Sequence, residues 1–281
     1  MGDTIPSNVF GALQGSGFPF QTAVRHVVAA KATAGWRVHA SEYAWQRLDG
    51  EDRFLDLVAD NGTFFLTIEC KKTTKDTWTF LRPLGLDSTG RTEDFRCLRA
   101  EQIRDSTKRL ALYCETWRLE PSSIRSEFCV VSTSKTGDNR MLEKDAGELI
   151  RASDAFADDF RDHFEPNLDA APSAFHLFLP VIVTNAPLFT ARYNPNEVSL
   201  ADGQFKKPPR EIESCHAIRF QKTFMSDSRF DLGERSLFVV HAPSFPEFLD
   251  LIAQTRHQAE YDHARVHFVR GARQRRTTGI V

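Results

Sequence analysis

The strongest constraint on this chain is a pair of apolar runs that meet at a tight turn. Residues 54–59, Phe-Leu-Asp-Leu-Val-Ala, lead into Asp60-Asn61-Gly62 and then into residues 63–71, Thr-Phe-Phe-Leu-Thr-Ile-Glu-Cys-Lys. The second run joins aromatic and β-branched residues and ends sharply in polar ones, as strands do. Asn-Gly between two such runs specifies a hairpin. Asp56 and Glu69 then sit on its two strands. Side chains alternate along a strand, so Glu69 and Lys71 project to one side and Cys70 to the other. A carboxylate and an ammonium at the end of an apolar strand can face a common cleft, and Asp56 can reach that cleft from the partner strand.

This layout suits hydrolysis of a phosphodiester, which develops negative charge on the phosphate and needs an activated water and help for the leaving oxygen. Asp56 and Glu69 can hold Mg2+, a hard cation that takes oxygen ligands, with Mn2+ as a substitute. The backbone carbonyl of Cys70 can add another oxygen; its thiol is a poor ligand for such an ion. The chemistry the cation supplies is polarisation of the phosphate and a lower pKa for water. Lys71 can position that water or stabilise the developing charge, and a general-base role would require a depressed pKa. A lone ExK triplet carries little weight, because a solvated ion pair at a strand end is the simple alternative. The upstream Asp56 on the partner strand gives the set its meaning.

Over residues 18–72 the sequence resembles the PD-(D/E)xK, or restriction-endonuclease-like, nucleases. Arg53-Phe-Leu-Asp56-Leu-Val-Ala is similar to the first acidic strand of that superfamily, and Glu69-Cys-Lys71 to its ExK motif. The resemblance implies that Asp56 and Glu69 are metal ligands and that Lys71 is the catalytic lysine. It also implies a Glu or Gln on the preceding helix, facing the metal. Gln21 matches that position best, with Glu42 as a competitor; the simpler reading of Gln21 is a helix-surface or capping residue. Leu55 stands where the literal motif has proline. The implied fold is α/β, a restriction-endonuclease-like mixed sheet flanked by helices. The implied activity is metal-dependent cleavage of nucleic acid, with DNA preferred on the resemblance alone and restriction or antiviral defence as the setting. The alternative, motivated by glutamine at position 21, is a catalytically inactive module of the same fold that binds nucleic acid or a protein partner.

The rest of the chain frames this centre. Residues 1–17 are rich in Gly, Ser and Asn and are expected to be irregular. Pro19 suits a first helical turn, and apolar residues at three- and four-residue spacing predict a helix over 20–33, stopped by Gly35. Residues 36–40 read as a short strand, 72–98 as mostly polar with Trp78, Phe80, Leu81 and Leu84 as satellite contacts, and 101–117 as a helix. Residues 128–133 read as a strand at a buried sheet centre and 144–164 as a helix. From Phe175 the chain turns strand-rich, with strands at 188–192, 217–223 and 237–240, loop signals over 194–210 and a helix from Pro246 extending toward Ala264. Pro180 argues that the strand from Phe175 lies at an edge or carries a bend. The expected organisation is one elaborated domain over 18–281, with a nuclease core at about 18–165 and a strand-rich C-terminal elaboration at about 175–281.

Composition narrows the partners. The net charge is -2, so the protein does not act through blanket positive charge, although the stretch from Arg265 to Arg276 is locally basic. Lys72, Lys75 and Arg82, and separately Gln102, Lys108 and Arg109, are candidate phosphate contacts, with solvated surface as the alternative; Lys135, near a strand end, can enter the same cleft but reads more simply as a surface lysine. None of the five cysteines forms a CxxC pair, and His216 and His241 stand in no metal or triad motif. The glycines follow neither a P-loop nor a dinucleotide fingerprint. With no signal peptide and no apolar run near about 18 residues, a cytoplasmic protein without a membrane partner is expected. A homodimer, or a larger nuclease complex with an ATPase or recognition subunit, stays open. The 23 phenylalanines point to an aromatic-rich core.

Overall fold

The computed structural model describes residues 7–47, 49–85, 94–102, 110–132, 141–163, 175–223 and 234–255. In chain order the helices are α1 (Ser7–Gly15), α2 (Phe18–Ala30), α3 (Met141–Asp162) and α4 (Phe245–Gln254). The first strands are β1 (Arg37–Gln46), β2 (Asp52–Asp60), β3 (Phe64–Lys71), β4 (Thr77–Pro83), β5 (Asp94–Gln102), β6 (Leu110–Arg118), β7 (Arg125–Ser126) and β8 (Cys129–Ser132). The second half adds β9 (Phe175–Thr184), β10 (Leu188–Tyr193), β11 (Glu211–Cys215), β12 (Ala217–Thr223) and β13 (Glu234–His241). The fold is α/β with mixed sheets and is mostly strand. The main sheet runs β1-β2-β3-β9-β13-β12-β7, with β5 and β6 branching from β9. A smaller sheet has the order β11-β10-β4-β8.

Each face of the main sheet has its own core. Phe64, Leu66 and Ile68 of β3 turn toward Val24 and Val28 of α2 and Phe248 and Leu249 of α4. The other parity, led by Phe65, packs with Phe178 and with Leu149 and Phe156 of α3. Phe65 stacks on Phe178 at 5.4 Å between centroids and lies 4.8 Å from Phe160. Such aromatic pairs contribute about 0.5–1.5 kcal/mol each beyond area burial, and the abundance of phenylalanine is accounted for largely here.

The hairpin of β2 and β3 forms as expected, in the register Leu57↔Ile68 to Asp60↔Phe65. Asp60 closes its turn and is fully buried. Its carboxylate accepts from Arg37 Nε at 2.9 and 3.0 Å and from the Gly62 amide at 3.1 Å, and contacts His39 Nδ1 at 3.2 Å. Gly62 has φ +90°, a conformation that side chains rarely take. Burial pushes the Asp60 carboxyl up, but His39, Arg37 and the Gly62 amide outweigh it and hold it below its ordinary value. Its contribution is therefore present above the ordinary aspartate range and is lost as pH falls through the lowered value. Asp60→Ala is expected to cost about 2–3 kcal/mol at neutral pH and less in acid, measured by denaturant titration at both. Equal losses at the two pH values would refute this electrostatic role.

Several expectations are corrected. Residues 7–15 form a helix where an irregular segment is expected. The strand at 36–40 extends through Gln46, carrying Tyr43 and Trp45. Trp78 and Phe80 are no satellites: both are fully buried on β4, whose alternation places them inward. Of the helix expected over 101–117, residues 101–102 instead end β5 and residues 110–117 belong to β6, two strands that pair from Asp94↔Arg118 to Gln102↔Leu110, while residues 103–109 lie outside the described residues. Residues 129–132 lie at the edge of the smaller sheet, not at a buried centre. Pro180 occupies a central strand. Along one edge of β9, β5 pairs with Phe175–Phe178 and β13 with Val181–Thr184, so Pro180 falls in the seam between the two ladders. A residue without an N–H is tolerated where no ladder bond is called for. The strands after residue 175 are interleaved with the first half, since β9 lies directly between β3 and β13. The extension of the last helix toward Ala264 lies outside the described residues.

Candidate active site

The sheet forks at the hairpin's acidic end. The β2–β3 ladder stops at Leu57↔Ile68, yet β1–β2 pairing continues to Gln46↔Asp52 and β3–β9 pairing to Lys71↔Thr184. Beyond that point β2 leaves with β1 while β3 stays with β9. Two local features make the split. The Cys70 amide donates to Asp56 Oδ2 at 2.7 Å, so a carboxylate takes the place of a partner strand. Glu42, which the register sets across from Asp56, has φ +53°, uncommon for a side chain other than Asn or Asp. Ala40 and Tyr43 face the same core, as do Val58 and Leu55, although residues three apart on a regular strand face opposite ways. Both strands therefore slip by one side chain at Glu42 and Asp56.

Continuing the β2–β3 register by one step sets Asp56 across from Glu69, so Glu42, Asp56 and Glu69 occupy one row over three strands. Gln21 of α2 reaches this row as a donor, its Nε2 bonding to Glu42 Oε1 and, at 3.0 Å, to the Asp56 carbonyl. Both candidates for the helix-side role are thus present, hydrogen-bonded to each other. Cys70 turns its side chain into the opposite core, and burial pushes its thiol well above the ordinary range. Lys71 Nζ lies 3.0 Å from Glu69 Oε1 and 3.2 Å from Asp145 Oδ1 on α3. Asp145 is the residue that sequence reasoning missed. It stands on an amphipathic helix where a polar position carries no motif, and only the packing of α3 across the fork reveals it.

Between the arms of the fork and α3 lies a cleft of about 460 Å3. Trp45, Arg53 and Phe54 form one wall, Glu69 and Lys71 the other, and Asp145, Glu148 and Leu149 the roof. Burial pushes the Glu69 carboxyl up to about 7; Asp56 and Asp145 add to the effect and Lys71 opposes it. Asp56 is also raised, by burial and then by Glu42, against the Cys70 amide and Lys71. Burial alone would lower Lys71, but Glu69 and Asp145 outweigh it and hold the ammonium above its ordinary value. In the metal-free fold Lys71 is therefore an ammonium that donates to Glu69 and Asp145.

Among the described residues, no three His, Cys, Asp or Glu side chains are grouped so as to enclose a metal ion. Magnesium is usually held by one or two carboxylates with substrate phosphate and water, not by an all-protein cage. Asp56 and Glu69 match that number and donor type, and the Asp56 carboxylate lies near enough to Glu69 to add to the effect of burial in raising its carboxyl. The residues thus fit such an ion.

The other candidates fall elsewhere. Lys72 is turned away from the cleft, its Nζ bonding to the carbonyls of Gln14 and, at 3.0 Å, Ser16 at the end of α1. Asn185 makes two hydrogen bonds to the backbone of Thr73, at 2.6 and 2.8 Å, which pin the exit of β3. Lys75 is exposed and Arg82 half-buried on β4. His216 Nδ1 meets Ser244 Oγ at 2.9 Å at the start of α4, and burial, then His216, lowers His241. Gln102 ends β5; Lys108, Arg109, Lys135 and the basic stretch from Arg265 lie outside the described residues. No described helix is long and apolar enough to cross a membrane. Comparisons of the chain with protein-family models, with curated proteins and with solved structures return no match.

Proposed function

We propose that this protein is a metal-dependent nuclease of restriction-endonuclease-like design that hydrolyses phosphodiester bonds in DNA, in restriction or antiviral defence. The observation that carries this reading is the meeting of Asp56, Glu69 and Lys71 at one fork, beside an open cleft. Asp56 and Glu69 would hold Mg2+ or Mn2+ with help from the Cys70 carbonyl, and a bound cation supplies phosphate polarisation and a more acidic water. The remaining work belongs to the side chains. Lys71, kept charged by two carboxylates, donates to the phosphate oxygen on which charge develops. Asp145 positions Lys71 from α3, so the ammonium does not depend on Glu69 alone when Glu69 turns to a metal. Gln21 and the Cys70 amide hold the Asp56 strand and carboxylate in place.

One observation favours a binding-only module: Glu69 is already occupied by Lys71. Cleavage assays separate the two readings. Wild type, Asp56→Ala and Lys71→Ala are incubated with supercoiled, linear duplex and single-stranded DNA and with RNA, in Mg2+, Mn2+ or EDTA. The expected result is metal-dependent cleavage by wild type, a loss of about 10²–10³-fold in Lys71→Ala, and no metal-dependent cleavage in Asp56→Ala. Equal cleavage by all three proteins would reject the assignment of these residues. Wild type that neither cleaves any substrate nor binds Mg2+ or Mn2+ through Asp56 would favour the binding module.

A further inference from the structure

The cleft is more than a place for a phosphate. Phe54 is 58% exposed, although it is a large apolar side chain on a strand, and it lines the cavity beside the nearly buried Trp45. Leu149 and Ala152 of α3 also line the cavity. Lys71, Lys144 and Arg53 lie on it as well, beside the carboxylates of Asp52, Glu69, Asp145 and Glu148; Lys71 is paired with Glu69 and Asp145 and Arg53 with Glu51, so Lys144 is the cation left for a phosphate that no metal holds. An aromatic and aliphatic surface adjoining cations is the surface a nucleoside needs: the base stacks on the ring and the phosphates meet the charges. Pockets that hold one drug-sized group run about 300–1,000 Å3. A cleft of about 460 Å3 therefore has the volume for a single nucleoside within its walls, and a base enters it only when unpaired.

We infer that the cleft binds one unpaired nucleotide next to the scissile phosphate, with its base against Phe54, and that the substrate is single-stranded or locally unpaired DNA. The inference rests on the nuclease reading for the identity of the phosphate site, but the base pocket stands on its own lining. A paired base must first be unstacked, at a cost of a few kcal/mol, before it can enter such a site. A single strand bears little of that cost, so the pocket itself selects strandedness. The fork supplies the opening: a continuous β2–β3 ladder would join the strands that now form opposite walls.

The test uses the full chain in Mg2+ with a short single-stranded oligonucleotide containing 2-aminopurine, and with the same strand annealed to its complement. Wild type should quench the single strand's fluorescence on binding and bind the duplex at least about tenfold more weakly. Phe54→Ala should weaken single-strand binding by about 5- to 100-fold, the range of one lost base stack, and Phe54→Trp should restore it. The melting temperature of Phe54→Ala should stay at the wild-type value, because the ring is largely exposed. Equal affinity for strand and duplex, or unchanged binding in Phe54→Ala, overturns the pocket. Strand-selective, Phe54-dependent binding without cleavage supports the pocket while rejecting the nuclease. Cleavage without Phe54-dependent binding rejects the pocket and leaves the nuclease standing.

Discussion

Glutamine in place of Glu69 is expected to reduce turnover by about 10²–10³-fold or more, while the metal-free protein at pH 8 melts at or above the parent's temperature. The loss follows from the role proposed for Glu69 as oxygen ligand and from its pairing with Lys71. The stability effect follows from its carboxyl. In the metal-free fold it titrates near 7, against an ordinary value of 4.5. Between those values the folded chain holds a proton that the unfolded chain has released. Its favourable contribution is therefore full below 4.5 and declines as pH rises through about 7. Glutamine has no such proton, so the variant gains on the parent across that window. Melting curves in EDTA from acid to pH 8, set beside cleavage rates, check both halves. A variant that cleaves at the parent's rate, or whose melting tracks the parent at every pH, would contradict the argument.

The second large effect lies away from the chemistry. Asp154 of α3 accepts from Arg235 Nη2 of β13, and the two side chains are each only 5% exposed. Arg235 Nη1 also donates to Cys114 Sγ at 3.2 Å. Asp154→Ala leaves a guanidinium in the core without its counter-charge, a change that costs about 3–5 kcal/mol. For a chain of this size that is roughly 6–20 °C in melting temperature. The charge pair itself need not be a net gain, so Asp154→Leu combined with Arg235→Met should recover most of the loss. Denaturant midpoints of the single and double variants decide it. A loss under about 1 kcal/mol in Asp154→Ala would show that water or another group solvates Arg235. Because α3 also carries Asp145, the single variant should lower cleavage as well.

The hairpin of β2 and β3 was legible because three local signals agree there: a period of two, Asn-Gly at the turn, and polar residues only where β3 leaves the core. The same alternation placed Glu69 and Lys71 on one face and Cys70 on the other, as found. Local signals failed where tertiary context decides. Leu110 and Tyr113, with Leu112 between them, satisfy a helical spacing, but β6 is held as a strand by pairing with β5 over its whole length. Trp78 and Phe80 looked isolated among polar neighbours because half of a two-layer strand is polar. Pro180 is a sound edge signal that was overridden, because two different strands share one edge of β9 and leave a seam for it. The fork was not legible at all. It depends on the left-handed Glu42 and on a side-chain-to-backbone bond from Asp56, neither of which leaves a pattern in sequence.

The position of β9 also bears on when the centre comes into being. When the chain has been synthesised through α3, Asp56, Glu69, Lys71 and Asp145 all exist, but the strand that holds the end of β3 does not. Lys71 is set in register against Thr184, and among the described residues the only ladder partner of β3 past Ile68 is β9. Pairing across so long a stretch of chain is slow and comes late in folding. An unfinished or prematurely terminated polypeptide therefore carries every candidate catalytic side chain without the frame that aligns them. Alignment of the candidate residues is thereby tied to the synthesis of β9, a consequence of strand order alone.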